Sequence, residues 1–199
     1  MIRIRYPIFV LAGFLAILAP QAWAGTPTES LKTSIEKIIP ILQDPTLKGD
    51  SKSEERRAAI RAVASEIFDF TESARRCLGR HWESRSDQER QEFTGLFGGL
   101  LERTYITKLE SYAGEQIAYT GETVNGDLAT VHTKILTKKG SELPVDYQIL
   151  RRGNRWVVYD VLVDGVSFVA NYRAQFNKII QTSSYEELVK QIKNKQERL

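Results

Sequence analysis

The sequence predicts an α+β protein in which a curved four-stranded antiparallel sheet is wrapped by helices into a cone with an apolar cavity. Three observations carry this prediction. Helix-spaced apolar residues fill the first half of the chain, four strand-like segments separated by glycine turns follow, and amphipathic helices close the chain. The third and fourth segments carry apolar residues on both faces, so the sheet needs a cover on each side or an apolar ligand beneath one.

The N-terminus has the pattern of a cleavable export signal. Two arginines precede an apolar run, Ile8–Leu18, that is too short to span a bilayer comfortably. The segment Ala22-Trp23-Ala24 places small residues where a signal peptidase reads them, which predicts cleavage between Ala24 and Gly25. We therefore expect residues 1–24 to be a signal peptide and residues 25–199 to form one exported domain. An uncleaved membrane anchor is the alternative.

Composition argues against several functional classes. Without the signal peptide the chain has 26 basic and 25 acidic residues, so nothing in its charge demands a nucleic acid. Cys77 is the only cysteine, and we expect a buried filler rather than a nucleophile paired with His81. Neither His81 nor His132 lies in a metal-ligand pattern, and phosphate-loop and hydrolase motifs are absent. We therefore predict no metal, no cofactor and no enzyme activity.

The region 25–113 is predicted to be helical. Three shorter helices are recognised by their apolar spacing, their polar caps and their breakers: Leu31–Leu42, ended by Asp44-Pro45; a helix opened by Ser51 or Ser53 and running to about Phe68; and one capped by Asp69 that ends at Leu78 before Gly79. A long fourth helix follows them.

The fourth helix has the clearest start. Ser86-Asp87-Gln88-Glu89 is a capping box, and large apolar residues follow at helical spacing as far as Leu109. Gly95, Gly98 and Gly99 interrupt this helix, each at a cost of about 1 kcal/mol relative to alanine. Two interpretations stay open: close packing of the helix on the sheet, or room beside the helix for an acyl chain.

The sheet is predicted over residues 114–163 and two C-terminal helices over 164–199. Each turn contains a glycine, and Asn125-Gly126 is the strongest hairpin signal. The strands are Glu115–Thr123, Asp127–Thr137, Leu143–Leu150 and Arg155–Val163; the helices are Val166–Ile180 and Tyr185–Lys195, the latter capped by Ser183 or Ser184.

Candidate lining residues come from the sheet face and from the two helices expected to cover it. Strict alternation in the last strand would place Val161 and Val163 on the face of Tyr159, opposite Val158. The candidates are apolar or tyrosine: Leu96, Phe97, Leu100, Tyr105, Tyr147, Ile149, Tyr159, Val161, Val163, Val166, Val169, Tyr172 and Phe176. Each could equally be an ordinary core residue.

Four segments resemble the MlaC family of periplasmic phospholipid-binding proteins. They read FDFTESARRCLGRHW, LLERTYITKL, PVDYQIL and GNRWVVYDVLVDGVSFVANYRAQF, and they occur in matching order over most of the chain. The resemblance implies a cavity between sheet and helices and a carrier that passes phospholipids between an outer-membrane lipoprotein complex and an inner-membrane ABC transporter with a lipid-binding subunit. Such transfer maintains the lipid asymmetry of the outer membrane.

Three other interpretations stay open. A carrier of the same family could take another amphiphile, such as a hopanoid, or the chain could be a structural adaptor with a filled core. An enzyme would need ionisable groups converging inside the cavity. For the aspartates Asp146, Asp160 and Asp164 we expect instead ion pairs with nearby arginines, including Arg173, which resembles an arginine of the family.

Overall fold

The structure is a computed structural model that describes residues 25–47, 49–138 and 140–198, so the predicted signal peptide lies outside the described residues. Within these ranges the chain forms six α-helices, five strands and three single-turn 3₁₀ helices. In chain order the α-helices and strands are α1 Pro27–Gln43, α2 Ser53–Ile67, α3 Phe70–Leu78, α4 Asp87–Glu110, β1 Gln116–Asn125, β2 Leu128–Leu136, β3 Glu142–Arg152, β4 Arg155–Val163, β5 Val166–Ser167, α5 Phe168–Thr182 and α6 Tyr185–Arg198.

The strands form one curved, open antiparallel sheet in the order β1-β2-β3-β4-β5. The predicted α+β class and the four main strands are confirmed, and a two-residue fifth strand is added. This strand forms because Asp164 and Gly165 have positive φ angles of 50° and 76°, which turn the chain back onto β4. Ser167 then accepts a hydrogen bond from the Ala170 N–H at 2.9 Å, so α5 starts at Phe168, two residues later than predicted.

A β-bulge in β4 changes the direction of its side chains. Gln148 of β3 pairs with Asp160, but the next residue of β3 pairs with Val158, which leaves Tyr159 without a partner. The extra residue shifts the alternation, so Val161 packs on the same face as Val158 while Tyr159 lies on the opposite one. The prediction that Val161 shares a face with Tyr159 was therefore wrong.

A side-chain cap marks the start of α4 but not the start of α2. At α4 the Glu89 N–H donates to Ser86 Oγ at 3.3 Å and the Ser86 N–H donates to Glu89 Oε2 at 2.7 Å, which confirms the predicted capping box. Helix α2 begins at Ser53, as predicted. Lys52 occupies the cap position without a side-chain hydrogen bond, so Ser53 is the first helical residue rather than the cap.

Buried apolar side chains form two main clusters rather than one continuous core. The helical cluster joins α3, the turn after it, α4, α5 and α6: Ala74, Cys77, Leu78, Trp82, Phe93, Phe97, Leu100, Val169, Tyr172, Phe176, Tyr185, Leu188 and Ile192. The sheet cluster joins α1 and α2 to one face of the sheet: Leu31, Ile67, Ala129, Val131, Ile149 and Val158. The opposite face carries a smaller cluster, Leu150, Val157 and Tyr159, which α3 adjoins.

Close helix–helix packing accounts for two of the three glycines in α4. A Cβ atom on Gly99 would lie 2.7 Å from Nε2 of Gln196, which donates a hydrogen bond to the Leu96 carbonyl at 2.7 Å. A Cβ atom on Gly98 would meet the Phe70 ring at 3.8 Å. The interpretation as packing against the sheet was wrong, because these glycines face α6 and α3. Gly95 faces open space.

We expect Gly95→Ala to stabilise the protein by about 0.5–1 kcal/mol, because alanine is the better helix former and the new methyl group meets nothing within 4 Å. Urea unfolding followed by circular dichroism measures this. Gly99→Ala is the matched comparison, and it should gain less because it displaces Gln196. A Gly95→Ala protein that instead loses bound lipid would support the acyl-chain interpretation of this helix.

Candidate functional site

Six of the thirteen predicted lining residues belong to the helical layer. Phe97, Leu100, Val169, Tyr172 and Phe176 are buried in the helical cluster, and Leu96 packs against it. Their aromatic rings interlock: Phe97 meets Tyr172 edge to face at 5.4 Å and Phe176 at 6.1 Å. The structure therefore places these side chains in dense contact with one another.

The sheet residues of the predicted set divide between the two faces. Ile149 is buried in the sheet cluster, and Tyr147 and Val161 pack against it. Tyr159 lies on the opposite face beneath the Arg76 guanidinium, which is 4.0 Å from its ring centroid. The bulge thus separates Tyr159 from the residues with which it was expected to form one wall.

The remaining predicted residues belong to α4 and to the β4–β5 hairpin. Tyr105 stacks on Phe168 with ring centroids 4.5 Å apart, and neither ring belongs to the helical or the sheet cluster. Val163 pairs with Val166 across the hairpin that leads into Phe168, and Val166 is 59% exposed. Sequence reasoning missed Phe168, whose signal was an aromatic residue directly after a serine cap. Tyr105 and Phe168 thus form a stacked aromatic pair outside both clusters.

The tyrosines of this region stay uncharged. Burial, with a further contribution from the neighbouring Tyr172, raises the pKa of Tyr105 to about 12. Burial also raises the pKa of Tyr147 to about 12. Both phenols are therefore neutral at physiological pH and offer apolar rings rather than acid–base chemistry.

A buried carboxylate ties α3 to the sheet. Glu72 accepts hydrogen bonds from Arg75 at 2.9 and 2.7 Å and from Arg76 at 2.7 Å, and Arg152 of β3 approaches it at 3.6 Å. Arg152 also donates to Asp69 at 2.9 Å. The hydrogen bonds from Arg75 are the largest cause of a lowered pKa for Glu72, and they outweigh the effect of burial, which raises it.

This network predicts acid sensitivity. The folded-state pKa of Glu72 lies below its ordinary value of 4.5, so its contribution to stability is present above that value and is lost as the pH falls through the folded pKa. We expect Glu72→Gln to cost about 1–3 kcal/mol at neutral pH and to flatten the pH dependence of unfolding below 4.5. Urea titrations at several pH values test this. Glu66→Gln, on an exposed ion pair, is the control.

The expected pairs between aspartates and arginines were wrong in their partners. Asp160 accepts a hydrogen bond from Ser167 Oγ at 2.5 Å and one from the Val169 N–H at 3.0 Å, so it anchors the start of α5.

Asp146 contacts His132 Nδ1 at 3.0 Å, so its partner is also not an arginine. The Arg173 stem passes Gly79, and among the described residues it forms no ion pair with Asp160 or Asp164. These aspartates do not converge on one point.

Cys77 is a buried core residue, as predicted. Its thiol is fully shielded in the helical cluster, and burial raises its pKa far above the ordinary value. His81 does not pair with it; its Nε2 atom lies 2.9 Å from Asn177 Oδ1. Within the described ranges no three His, Cys, Asp or Glu residues gather in an arrangement suited to a metal ion.

A surface depression of about 300 Å³ lies at the α2–α3 turn, away from the predicted lining residues. Its wall mixes aromatic with charged side chains: Ser65, Glu66, Phe68, Asp69, Phe70, Thr71, Arg152, Arg155 and Val157. Among the described residues, no helix is both long enough and apolar enough to cross a bilayer.

Comparisons with known proteins agree on one family and one fold. The family model described as MlaC protein matches residues 32–194. The intermembrane phospholipid transport system binding protein MlaC of Haemophilus influenzae is 24% identical over 186 residues, which cover 91% of this chain and 86% of that protein. A phospholipid-binding protein from Ralstonia solanacearum, solved in complex with a phospholipid, superposes with a TM-score of 0.78 at 23% identity, covering 89% of this chain and 98% of that one.

Proposed function

Because the chain belongs to the MlaC family, we propose that it is a periplasmic carrier that encloses the acyl chains of a phospholipid and moves the lipid between two membranes. The observation that supports this most directly is the division of the apolar interior into two clusters, with the stacked Tyr105–Phe168 pair belonging to neither. A domain usually has one contiguous apolar core, so this division is consistent with a ligand between the two clusters.

The energetics favour enclosure by apolar side chains alone. Each buried methylene group gains about 0.8 kcal/mol, so one chain of about 16 carbons represents roughly 10–13 kcal/mol of gross transfer free energy. Moving a free lipid through the water between two membranes is therefore strongly unfavourable. Neutral rings and aliphatic groups around the acyl chains lower this free-energy cost without binding the headgroup, which can remain in water.

We propose phospholipid rather than another amphiphile as the cargo. The Haemophilus influenzae relative is named for phospholipid transport, and the Ralstonia solanacearum protein was solved with a phospholipid bound. A hopanoid carrier becomes the second interpretation. The separated aspartates, the shielded Cys77 and the neutral tyrosines support a carrier that performs no chemistry on its cargo.

The partners follow from the family and from the predicted export signal. We propose that the carrier receives lipid from, or delivers it to, an outer-membrane lipoprotein complex and the lipid-binding subunit of an inner-membrane ABC transporter. Such transfer would maintain outer-membrane lipid asymmetry. The signal peptide predicted at residues 1–24 supports delivery of the protein to the periplasm.

Native mass spectrometry tests the cargo directly. The full chain is expressed with its own N-terminal segment, purified from the periplasmic fraction without detergent and measured beside an organic extract of the same sample. We expect the mature mass, consistent with cleavage after Ala24, together with an adduct of phospholipid mass. An adduct of hopanoid mass would support the second interpretation. A lipid-free protein that also takes up nothing from phospholipid vesicles would contradict the proposed function.

A further inference from the structure

Ion pairs close the gap between α2 and α4. Arg56 Nη2 lies 2.8 Å from Glu110 Oε1, and Arg57 Nε lies 3.3 Å from the same oxygen. Four to five residues further along α2, Arg61 donates to both oxygens of Glu102 at 2.8 and 2.6 Å. Residues near the start of α2 therefore pair with the end of α4, and a later residue of α2 pairs with an earlier one of α4. The two helices thus run antiparallel along this contact. We call it the α2–α4 seam.

Two buried isoleucines lie beneath the seam. Ile60 is 3% exposed and Ile106 is 6% exposed, yet neither belongs to the helical cluster or to the sheet cluster. Ile106 stands four residues from each of the two glutamates, and Ile60 stands four residues from Arg56 and three from Arg57. Residues three or four apart share a helix face, so both isoleucines lie on the ion-paired faces. The seam therefore covers an apolar interior.

The two backbones do not pack closely at the seam. Helices α1 and α2, α3 and α4, and α4 and α6 approach one another along several residues, whereas α2 and α4 do not among the described residues. Long charged side chains thus span the distance that interlocking apolar side chains fill elsewhere. The Arg61–Glu102 pair is partly exposed, and such a pair contributes only about 0–1 kcal/mol. The Arg56–Glu110 pair is mostly buried, so opening that end of the seam requires another partner for the arginine.

The arginines at one end of the seam suit an anionic lipid group. Guanidinium binds phosphate and carboxylate with the same planar set of donors, so a phosphate can replace Glu110 as their partner. The Nε atom of Arg56 is buried and has no hydrogen-bond partner within the part of the chain that the structure describes. A buried donor without an acceptor is unfavourable, and a phosphate oxygen would supply one.

From these observations we infer that the α2–α4 seam is the portal through which acyl chains enter and leave the interior. Arg56 and Arg57 exchange Glu110 for the phosphate of the passing phospholipid. The inference rests on the proposed carrier function, to which it adds a route and two residues that select a phosphate-bearing lipid. Sequence reasoning missed this site, although arginines on one helix and glutamates eight residues apart on another were a readable signal.

A reversible cross-link tests the portal. Arg61→Cys with Glu102→Cys is linked by a short bis-maleimide that contains a cleavable disulfide; the native Cys77 is shielded and stays unmodified. We expect the linked protein to lose uptake from vesicles of phosphatidylethanolamine and phosphatidylglycerol, and reduction to restore it. The control joins Glu92→Cys to Lys193→Cys, which replaces an ion pair of 2.7 Å between the close-packed α4 and α6, and should leave uptake unchanged.

Each outcome of this experiment has one meaning. Seam-linked protein that takes up lipid at the rate of its unlinked form overturns the portal, and loss of uptake in the control as well would show a general effect of linking. If the unlinked proteins and the unmodified protein take up no lipid, the proposed function fails instead. Linking a protein that already holds lipid should prevent release of that lipid, which provides a second test of the portal.

A lipid comparison tests the arginines. We expect the unmodified protein to take up phosphatidylglycerol in preference to diacylglycerol with the same chains, and Arg56→Gln to lose this preference while keeping diacylglycerol uptake. Lys193→Gln, an exposed change away from the seam, should keep the preference. Equal uptake of both lipids by the unmodified protein would overturn the role given to Arg56.

Discussion

Replacing Phe97 with alanine is expected to lower the free energy of unfolding by about 3–5 kcal/mol. The ring is 1% exposed and contacts Phe93, Tyr172 and Phe176 at centroid distances of 5.4–6.3 Å. Its removal leaves a cavity bounded by three other rings that are themselves held by neighbours, so the surroundings can collapse only in part. Urea unfolding, followed by circular dichroism, measures the loss.

The same helix supplies the control for Phe97→Ala. Leu109 is 40% exposed, so Leu109→Ala should change stability by no more than about 0.5 kcal/mol. The comparison also tests the sequence prediction that Phe97 lines the cavity. A Phe97→Ala protein that keeps its stability but loses or exchanges its lipid faster would place this ring on the cavity wall and contradict its assignment to the helical core.

The second large effect concerns the sheet side of the interior. We expect Val161→Arg to abolish lipid retention while the protein still folds and is exported. Val161 is only half-buried, so the stem of an arginine can carry its charge toward water, where it costs the fold little. The same charge beside an acyl chain would have to be desolvated, which is strongly unfavourable. Native mass spectrometry of the purified variant shows whether a lipid adduct remains.

Two further variants separate lining from core. Val161→Leu keeps the site apolar and should retain lipid. Val169→Arg should fail to fold, because Val169 is buried in the helical cluster and a charged side chain there would have to be desolvated. If Val161→Arg also fails to fold, Val161 is a core residue. If it folds and keeps its lipid, Val161 does not line the site.

The elements that the sequence predicts well are those whose cause is local. The Ser86 and Glu89 capping box fixes the start of α4, and Asn125-Gly126 fixes the first hairpin, because each needs only residues close together in the chain. The bulge at Tyr159 has no such local cause. It depends on how β3 and β4 pair along their whole length, and it reverses the face of every later residue in β4.

The candidate site was harder to predict than the fold for the same reason. Periodicity identifies apolar side chains such as Phe97 and Val161, but it does not say whether a neighbouring element or a ligand covers them. Asp160 shows the same limit for polar groups. Its partners are a hydroxyl and a backbone N–H brought close by the β4–β5 turn, and neither is evident before that turn is known.

The division between the helical and the sheet cluster has a consequence for the transport cycle. Each layer keeps its own buried apolar contacts. With the cargo between the layers, as proposed, we expect its removal to leave both layers folded and the molecule ready to accept the next lipid. Such a carrier works as a reusable container whose unloaded form is a resting state rather than a denatured intermediate.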